Sequence, residues 1–521
     1  MSAQAAVAAR AGAQRSRIDV VSPATGAVVG VVPVDGPSEV AAIAAELRAA
    51  QPEWEACGPR ERGVVLRRFL DWILDNERSL VETIQAESGK SWGDASLEII
   101  MAVDTINYYV KNAPTFIADR AVSPAGLANL TKKLTVQYRP YPLVGVITPW
   151  NGPLAGPIMD GVAALLAGAA VLFKPSEVTP LTWAAAARGW RDVDAPPILG
   201  CVNGYGDTGQ AVVDEVDMVM FTGSTATGRA IATRAGERLI PCSLELGGKD
   251  AMIVCADANL ERAAKAAAWG AMFNSGQICV SVERVYVVAD VYDQFVELVT
   301  RQVNGLRHGT DAPGSFTSDV GAMATAAQLA TVERHVADAV AKGARVLTGG
   351  QRREPGLYFE PTVLADVDHS MLCMREETFG PTLPIMKVDT EDQAIDLTND
   401  SVYGLGSSLW TRDRARAQCL SRRIEAGAVN VNNALATTFQ MTTPMSGWKQ
   451  SGLGQRFDGA AGMLKFCRPK TVLSERVQLP AEPLWYPYRR RTSTVIARLV
   501  RLTGAHDWGR RLARRPKEGR R

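Results

Sequence analysis

The chain reads as an α/β protein, on three observations. From residue 143 onward, short and nearly unbroken apolar runs alternate with helical patterns, and such strands suit a parallel sheet covered by helices on both faces. Glycine-rich and polar stretches fall just past those runs, at the carboxyl ends where an open parallel sheet binds ligands. With 521 residues, 46% of them hydrophobic, there is material for two or more domains.

Taken in order, residues 1–17 read as a flexible N-terminal arm, Ala- and Arg-rich but without the apolar core of a secretory signal. Ser22-Pro23-Ala24-Thr25-Gly26 is a turn between strand candidates at 18–21 and 27–34. Ser38 stands as the cap of a helix with Val40, Ile43, Ala44 and Leu47 on one face. Helical patterns at 60–76, 78–87 and 94–118 have the spacings of a packed surface rather than a ligand site. After a strand at 134–138, the alternation places strands at 144–148, 170–174, 197–202, 218–222 and 242–246, with helices at 154–168, 180–190, 207–213 and 225–235 between them. A second set follows: strands at 251–254, 284–288, 357–363, 382–388 and 428–432, and helices at 259–274, 290–305, 325–342 and 412–425. Residues 466–478 have the texture of an edge strand.

Charge is distributed unevenly. Residues 489–521 hold twelve Arg or Lys against Asp507 and Glu518, which leaves 45 basic and 53 acidic residues in the rest. A mildly acidic body therefore carries a basic tail. The eight cysteines form no CxxC pair, and with four histidines no zinc site of usual spacing is visible, so no metal is expected. Scattered free thiols fit a reducing, cytoplasmic setting. The longest apolar run, 161–173, is too short to span a bilayer.

Chemistry concentrates between residues 245 and 284. Leu244-Glu245-Leu246-Gly247-Gly248-Lys249 lodges a carboxylate between leucines, and Gly276-Gln277-Ile278-Cys279 sets a cysteine just after a flexible Asn-Ser-Gly turn. Each alone has a bland reading, as a paired core carboxylate or a small buried hydrophobe. Three strand ends add ligand groups: Pro149-Trp150-Asn151-Gly152, Lys174-Pro175-Ser176-Glu177, and Gly223-Ser224 opening a helix whose free N–H groups favour a pyrophosphate.

With Phe221-Thr222-Gly223-Ser224 and Glu377-Thr378-Phe379-Gly380-Pro381 added, these six motifs in order resemble the aldehyde dehydrogenase superfamily over roughly residues 18–478. The resemblance implies a Rossmann-like cofactor domain (18–122 and 141–247), an α/β catalytic domain (248–455) and a β-arm for dimer or tetramer assembly (123–140 and 460–480), followed by the tail, 481–521. It implies that Cys279 attacks the aldehyde as thiolate, that the Asn151 amide and the Cys279 N–H hold the oxyanion, and that Glu245 activates water on the thioester. By the same likeness Trp150, Lys174, Ser176, Glu177, Gly223, Ser224, Glu377 and Phe379 hold the cofactor. Glu177 disfavours a 2′-phosphate, so NAD is expected ahead of NADP. A CoA-acylating relative usually lacks the Glu245 base.

The departures bear on substrate. Gly152 replaces the aromatic usual in the family, and Asp160 stands beside Met159 at helix positions that contribute to the tunnel. Met159 and Phe273 stand where relatives acting on succinate semialdehyde place arginines, and Leu435 to Phe439 is a further uncharged stretch expected on the wall. An uncharged apolar or aromatic aldehyde is therefore expected, with succinate semialdehyde as the alternative and a non-catalytic protein of the same fold below it. In the tail, Val495, Ile496, Leu499 and Leu502 share a helical face behind Trp485, Tyr486 and Tyr488. Packing on a neighbouring subunit, peripheral membrane contact and nucleic-acid binding stay open there, in that order.

Overall fold

In the computed structural model the described residues are 16–504 and 506, apart from 127, 128, 130, 479, 483 and 484. Most of the expected N-terminal arm and the end of the basic tail thus lie outside them. The chain divides into two compact units, one of residues 1–117 and 139–468, the other of 118–138 and 469–521.

The first unit holds two sheets. In one, the order is Gly452–Leu453, Cys242–Glu245, Met218–Thr222, Leu143–Ile147, Ala170–Lys174 and Leu199–Cys201. All neighbours are parallel except the Gly452–Leu453 edge, which runs antiparallel with Gly452 opposite Glu245. The central strands Leu143–Ile147, Ala170–Lys174 and Met218–Thr222 are buried at every residue, which is why they read as unbroken apolar runs. The other sheet has the order Arg345–Thr348, Thr362–Ala365, Thr382–Val388, Arg284–Val288, Ala251–Val254, Gly406–Trp410 and Ala428–Val431.

The strands expected at 170–174, 218–222, 251–254, 284–288 and 382–388 form over those residues. Three expectations need correction. The strand expected at 357–363 is two pieces, Tyr358–Phe359 and Thr362–Ala365, since Pro361 has no N–H to give a ladder. Ser38 lies inside its helix, which starts at Pro37; Gly36 is the cap, its N–H donating to the Glu39 carboxylate at 3.0 Å. The helix Trp92–Phe116 is more than packing surface: it buries Asp94 and Glu98 on its inner face. The Glu98 carboxylate accepts the N–H groups of Leu154 and Ala155 at 2.9 and 3.0 Å, capping the helix Ala155–Ala167 from another element.

The second unit is built on a three-stranded sheet in the order Cys467–Glu475, Lys132–Pro140 and Arg120–Val122, with the last pair antiparallel. Lys132 bonds both Glu475 and Glu482, at 2.6 and 2.7 Å. A 14-residue helix, Arg490–Thr503, closes the described chain.

Candidate active site

Cys279 follows a turn that the fold holds in an uncommon conformation. Asn274, Ser275 and Gly276 take φ values of 52°, 55° and 72°, all left-handed, at a cost of roughly 1–3 kcal/mol for each non-glycine. At Gly276 a Cβ would run into the Gly380 carbonyl, so only glycine fits. A flexible turn is the expectation; it is buried and tied by hydrogen bonds on several sides. The Asn274 N–H donates to Asp94 at 3.0 Å, and its side-chain amide donates to the carbonyls of Asn151 and Gln277 at 3.2 and 3.0 Å. The Ser275 hydroxyl donates to Gly321 O, and the Gln277 carboxamide oxygen accepts from Ala324 N–H. These bonds offset the strain and fix where Cys279 stands.

Cys279 opens into a cavity of about 400 Å³. Its wall includes Trp150, Asn151, Met159, Gly223, Ser224, Phe273, Glu377 and Phe379, eight of the residues singled out in the sequence. Asn151 donates one amide hydrogen to Gln277 O at 2.9 Å and keeps a second for a ligand. The Cys279 N–H has no acceptor among the described residues, and Asn151 and Cys279 both line the cavity. Gly152 leaves space beside Asn151: the nearest atom to a Cβ there would be Gly156 N, at 3.5 Å.

Glu245 ends the strand Cys242–Glu245, and Leu246 and Gly247 continue into the cavity wall. Among the described residues neither of its buried carboxylate oxygens has a hydrogen-bond partner. Burial pushes its pKa up to about 8, against the pull of the Arg456 and Lys465 charges. The Cys279 thiol is pushed up to about 12, mainly by burial; Arg456 opposes this, while Glu245, Asp250 and Glu377 add to it.

Glu377 reaches the site on a loop anchored from below. Glu283 pairs with buried Lys249 at 2.6 Å and accepts the N–H groups of Thr378 and Phe379 at 2.9 and 2.7 Å. Above that anchor Glu377 accepts the Gly248 N–H at 2.9 Å, and Phe379 meets Trp150 edge-on at 5.5 Å between ring centres. A Cβ on Gly247 would come within 2.6 Å of the Glu377 carboxylate, and one on Gly223 within 2.6 Å of the Phe221 ring, so neither position has space for a larger residue. Ser224 caps the helix Thr225–Glu237 with its hydroxyl at 3.3 Å from Thr227 N. Lys174, Ser176 and Glu177 stand at the end of the strand Ala170–Lys174, separated from Met218–Thr222 by Leu143–Ile147, outside the cavity wall, with Lys174 Nζ at 3.7 Å from Glu177. A helix N-terminus and two glycines line the cavity, and a lysine–carboxylate pair stands at another strand end of the same sheet; that set at the carboxyl ends of parallel strands fits a dinucleotide.

The expected wall from Leu435 and Phe439 is not there; Thr438 takes the place. Leu435, at φ 58°, turns its side chain into the core against Gly270, and Phe439 packs on the same cluster. Sequence reading also missed two parts of the site. Lys90, Asp94, Leu97, Glu98 and Met101 form a whole side of the cavity, with Lys90 paired to Glu98 at 2.5 Å. Arg456 forms another part, its Nε donating to fully buried Asp160 at 2.6 Å while Thr222 donates to the other Asp160 oxygen at 2.8 Å. The register that sets Gly452 opposite Glu245 brings Arg456 there, a pairing no local pattern announces.

Comparison with known proteins identifies the family. The model of the aldehyde dehydrogenase family matches residues 10–472. The chain belongs to that family. "Putative succinate-semialdehyde dehydrogenase (NADP(+)) 2" of Mycobacterium ulcerans (strain Agy99) is 38% identical over 92% of this chain and 93% of its own length. "4,4'-diapolycopene aldehyde oxidase" of a Methylomonas species is 40% identical over 90% of this chain and 88% of its own. The solved structure of a Mycobacterium tuberculosis aldehyde dehydrogenase complexed with NAD+ superposes with a TM-score of 0.84 at 34% identity, covering 89% of this chain and 96% of that one. The protein is an NAD(P)-dependent aldehyde dehydrogenase with the fold of that family.

Proposed function

We propose that this aldehyde dehydrogenase oxidises an uncharged apolar or aromatic aldehyde to its carboxylic acid, with NAD the preferred acceptor. One observation carries the substrate class: the wall leading to Cys279 is apolar at Leu97, Met101, Ala155, Met159, Phe273 and Ile278, and its two cations, Lys90 and Arg456, are each spoken for by a buried carboxylate. A carboxylate-tailed aldehyde would have to leave its charge there without a free partner. The relative named for a diapolycopene aldehyde supports the uncharged reading.

In this reading Cys279 attacks the aldehyde carbon, and the second Asn151 amide hydrogen and the Cys279 N–H hold the resulting oxyanion. NAD, when bound along the Ser224–Glu377 cleft, supplies the hydride acceptor. Glu245 then takes a proton from water, and the hydroxide released cleaves the thioester from Cys279. Its bare oxygens and its pKa of about 8 suit a base that must stay unpaired until water arrives. Glu177, partly exposed beside Lys174, would accept both hydroxyls of a ribose and repel a 2′-phosphate.

The cofactor, catalytic and arm segments are assigned as residues 18–122 with 141–247, 248–455, and 123–140 with 460–480, in a cytoplasmic homodimer or homotetramer. A second substrate reading, succinate semialdehyde, is favoured by the name of the Mycobacterium ulcerans relative and by the presence of Arg456 on the wall. Initial rates with octanal, benzaldehyde and succinate semialdehyde, each with NAD and with NADP, separate the two. A far higher kcat/KM for succinate semialdehyde would overturn the apolar assignment.

A further inference from the structure

The helix Arg490–Thr503 buries none of its residues. At 100° per residue, Val495, Leu499, Leu502, Ile496 and Val500 share one side, while Arg490, Arg491, Arg498 and Arg501 share the other. Val495, Leu499, Val500 and Leu502 are each about half exposed, at 55%, 46%, 55% and 48%. Just before the helix, Trp485, Tyr486 and Tyr488 are exposed as well, with the two tyrosine rings 4.7 Å apart. Among the described residues none of Arg489, Arg490, Arg491, Arg498 and Arg501 has a carboxylate partner.

We infer that this helix docks in the plane of an anionic phospholipid surface, its apolar side among the acyl chains and its arginines at the phosphates. Three features select that occupant. The helix has 14 residues and is charged along one side, too short and too polar to cross a bilayer, and no described helix is long and apolar enough to do so. An apolar stripe edged by unpaired arginines and preceded by interfacial aromatics matches the depth profile of a headgroup region. Nucleic acid would satisfy the arginines but leave the valine–leucine stripe in water. A second copy packed stripe to stripe would cover the valines and leucines but leave the arginines on the outer sides without an anionic partner. The inference rests on this unit alone and is independent of the substrate assigned above.

Flotation of the full chain with phosphatidylcholine–phosphatidylglycerol vesicles, against pure phosphatidylcholine, is the test. The expected result is co-flotation with the anionic vesicles, weakened about tenfold or more by Arg498→Gln/Arg501→Gln and abolished by Val495→Asp/Leu499→Asp. Both double variants should keep wild-type NADH production and elution volume on gel filtration, which excludes misfolding as the cause. Absence of wild-type flotation at low salt would overturn the inference. So would a changed oligomer in Val495→Asp/Leu499→Asp, which would mark the face as a subunit contact. Wild-type binding to duplex DNA that the arginine variant loses, without flotation, would also overturn it.

Discussion

On the loop that carries Cys279 nearly every polar group has a partner, from Asp94 below the turn to Asn151 and Ala324 on either side. On the strand end that carries Glu245 neither carboxylate oxygen has one. In the proposed reaction Cys279 must meet a carbonyl carbon at one place and angle, and hydrogen bonds fix the three left-handed residues of its loop. In the same proposal Glu245 must accept a proton from water, which its open lone pairs and raised pKa suit. Rigidity and emptiness thus serve consecutive steps of one proposed reaction.

The comparison breaks most completely at the sulfur. Cys279→Ser should lower the steady rate of NADH formation by on the order of 10⁴ or more, because a hydroxyl with no base bonded to it is a far weaker nucleophile. Retention of the fold, read as an unchanged melting temperature, would confine the effect to chemistry. Glu245→Gln should cost somewhat less, about 10² to 10⁴ in steady-state rate, since it strips out a general base. Here the two residues part company. The variant should still give a rapid first release of NADH and then stall as thioester, whereas Cys279→Ser should give none. A stopped-flow trace without that burst would remove Glu245 from the hydrolytic step.

Asn151→Ala comes third. It removes one oxyanion donor and also the bond to Gln277 O that helps seat the cysteine loop. The expected loss is about 10² to 10³ in kcat. Asn151→Asp, which keeps the size but not the amide hydrogens, should be no better; recovery of activity in it would show that the tether matters less than the shape.

How much of this was legible in the sequence follows from what each residue is asked to do. Strands such as Ala251–Val254 and Arg284–Val288 are buried on both sides, and their short, mostly apolar runs, Ala-Met-Ile-Val and Arg-Val-Tyr-Val-Val, read as buried strands. Gly406–Trp410 occupies an equally central place but reads Gly-Ser-Ser-Leu-Trp, because the Asp250 carboxylate fills the space of a side chain at Gly406 and accepts its N–H at 2.9 Å. Cys279, Glu245 and Asn151 were legible through their motifs. The wall built from Lys90 to Met101 was not: Asp94 and Glu98, four apart on a helix, have the spacing of a solvated face and are buried only because another helix and a loop need their oxygens. Leu435 misled for the opposite reason, since a left-handed φ redirects an apolar side chain that looks placed for the tunnel.

The smallest effect sharpens the comparison most. Wild-type kcat should rise with pH through about 8, since Glu245 is mainly protonated, and idle as a base, below that value. Arg456 lies on the cavity wall, and its charge favours both the Glu245 carboxylate and the Cys279 thiolate. Arg456→Met should therefore move the midpoint of the kcat profile upward by roughly one unit or less. It should also destabilise the fold by about 3–5 kcal/mol, because Asp160 is left buried with only Thr222 to meet it. Arg456→Lys restores a charge without the planar fork and should return the midpoint more fully than the stability. A profile that stays put in Arg456→Met while the melting temperature falls would make the Arg456–Asp160 pair a structural strut. It would leave burial and the remaining neighbours, Lys465 and Asp160, to set the base.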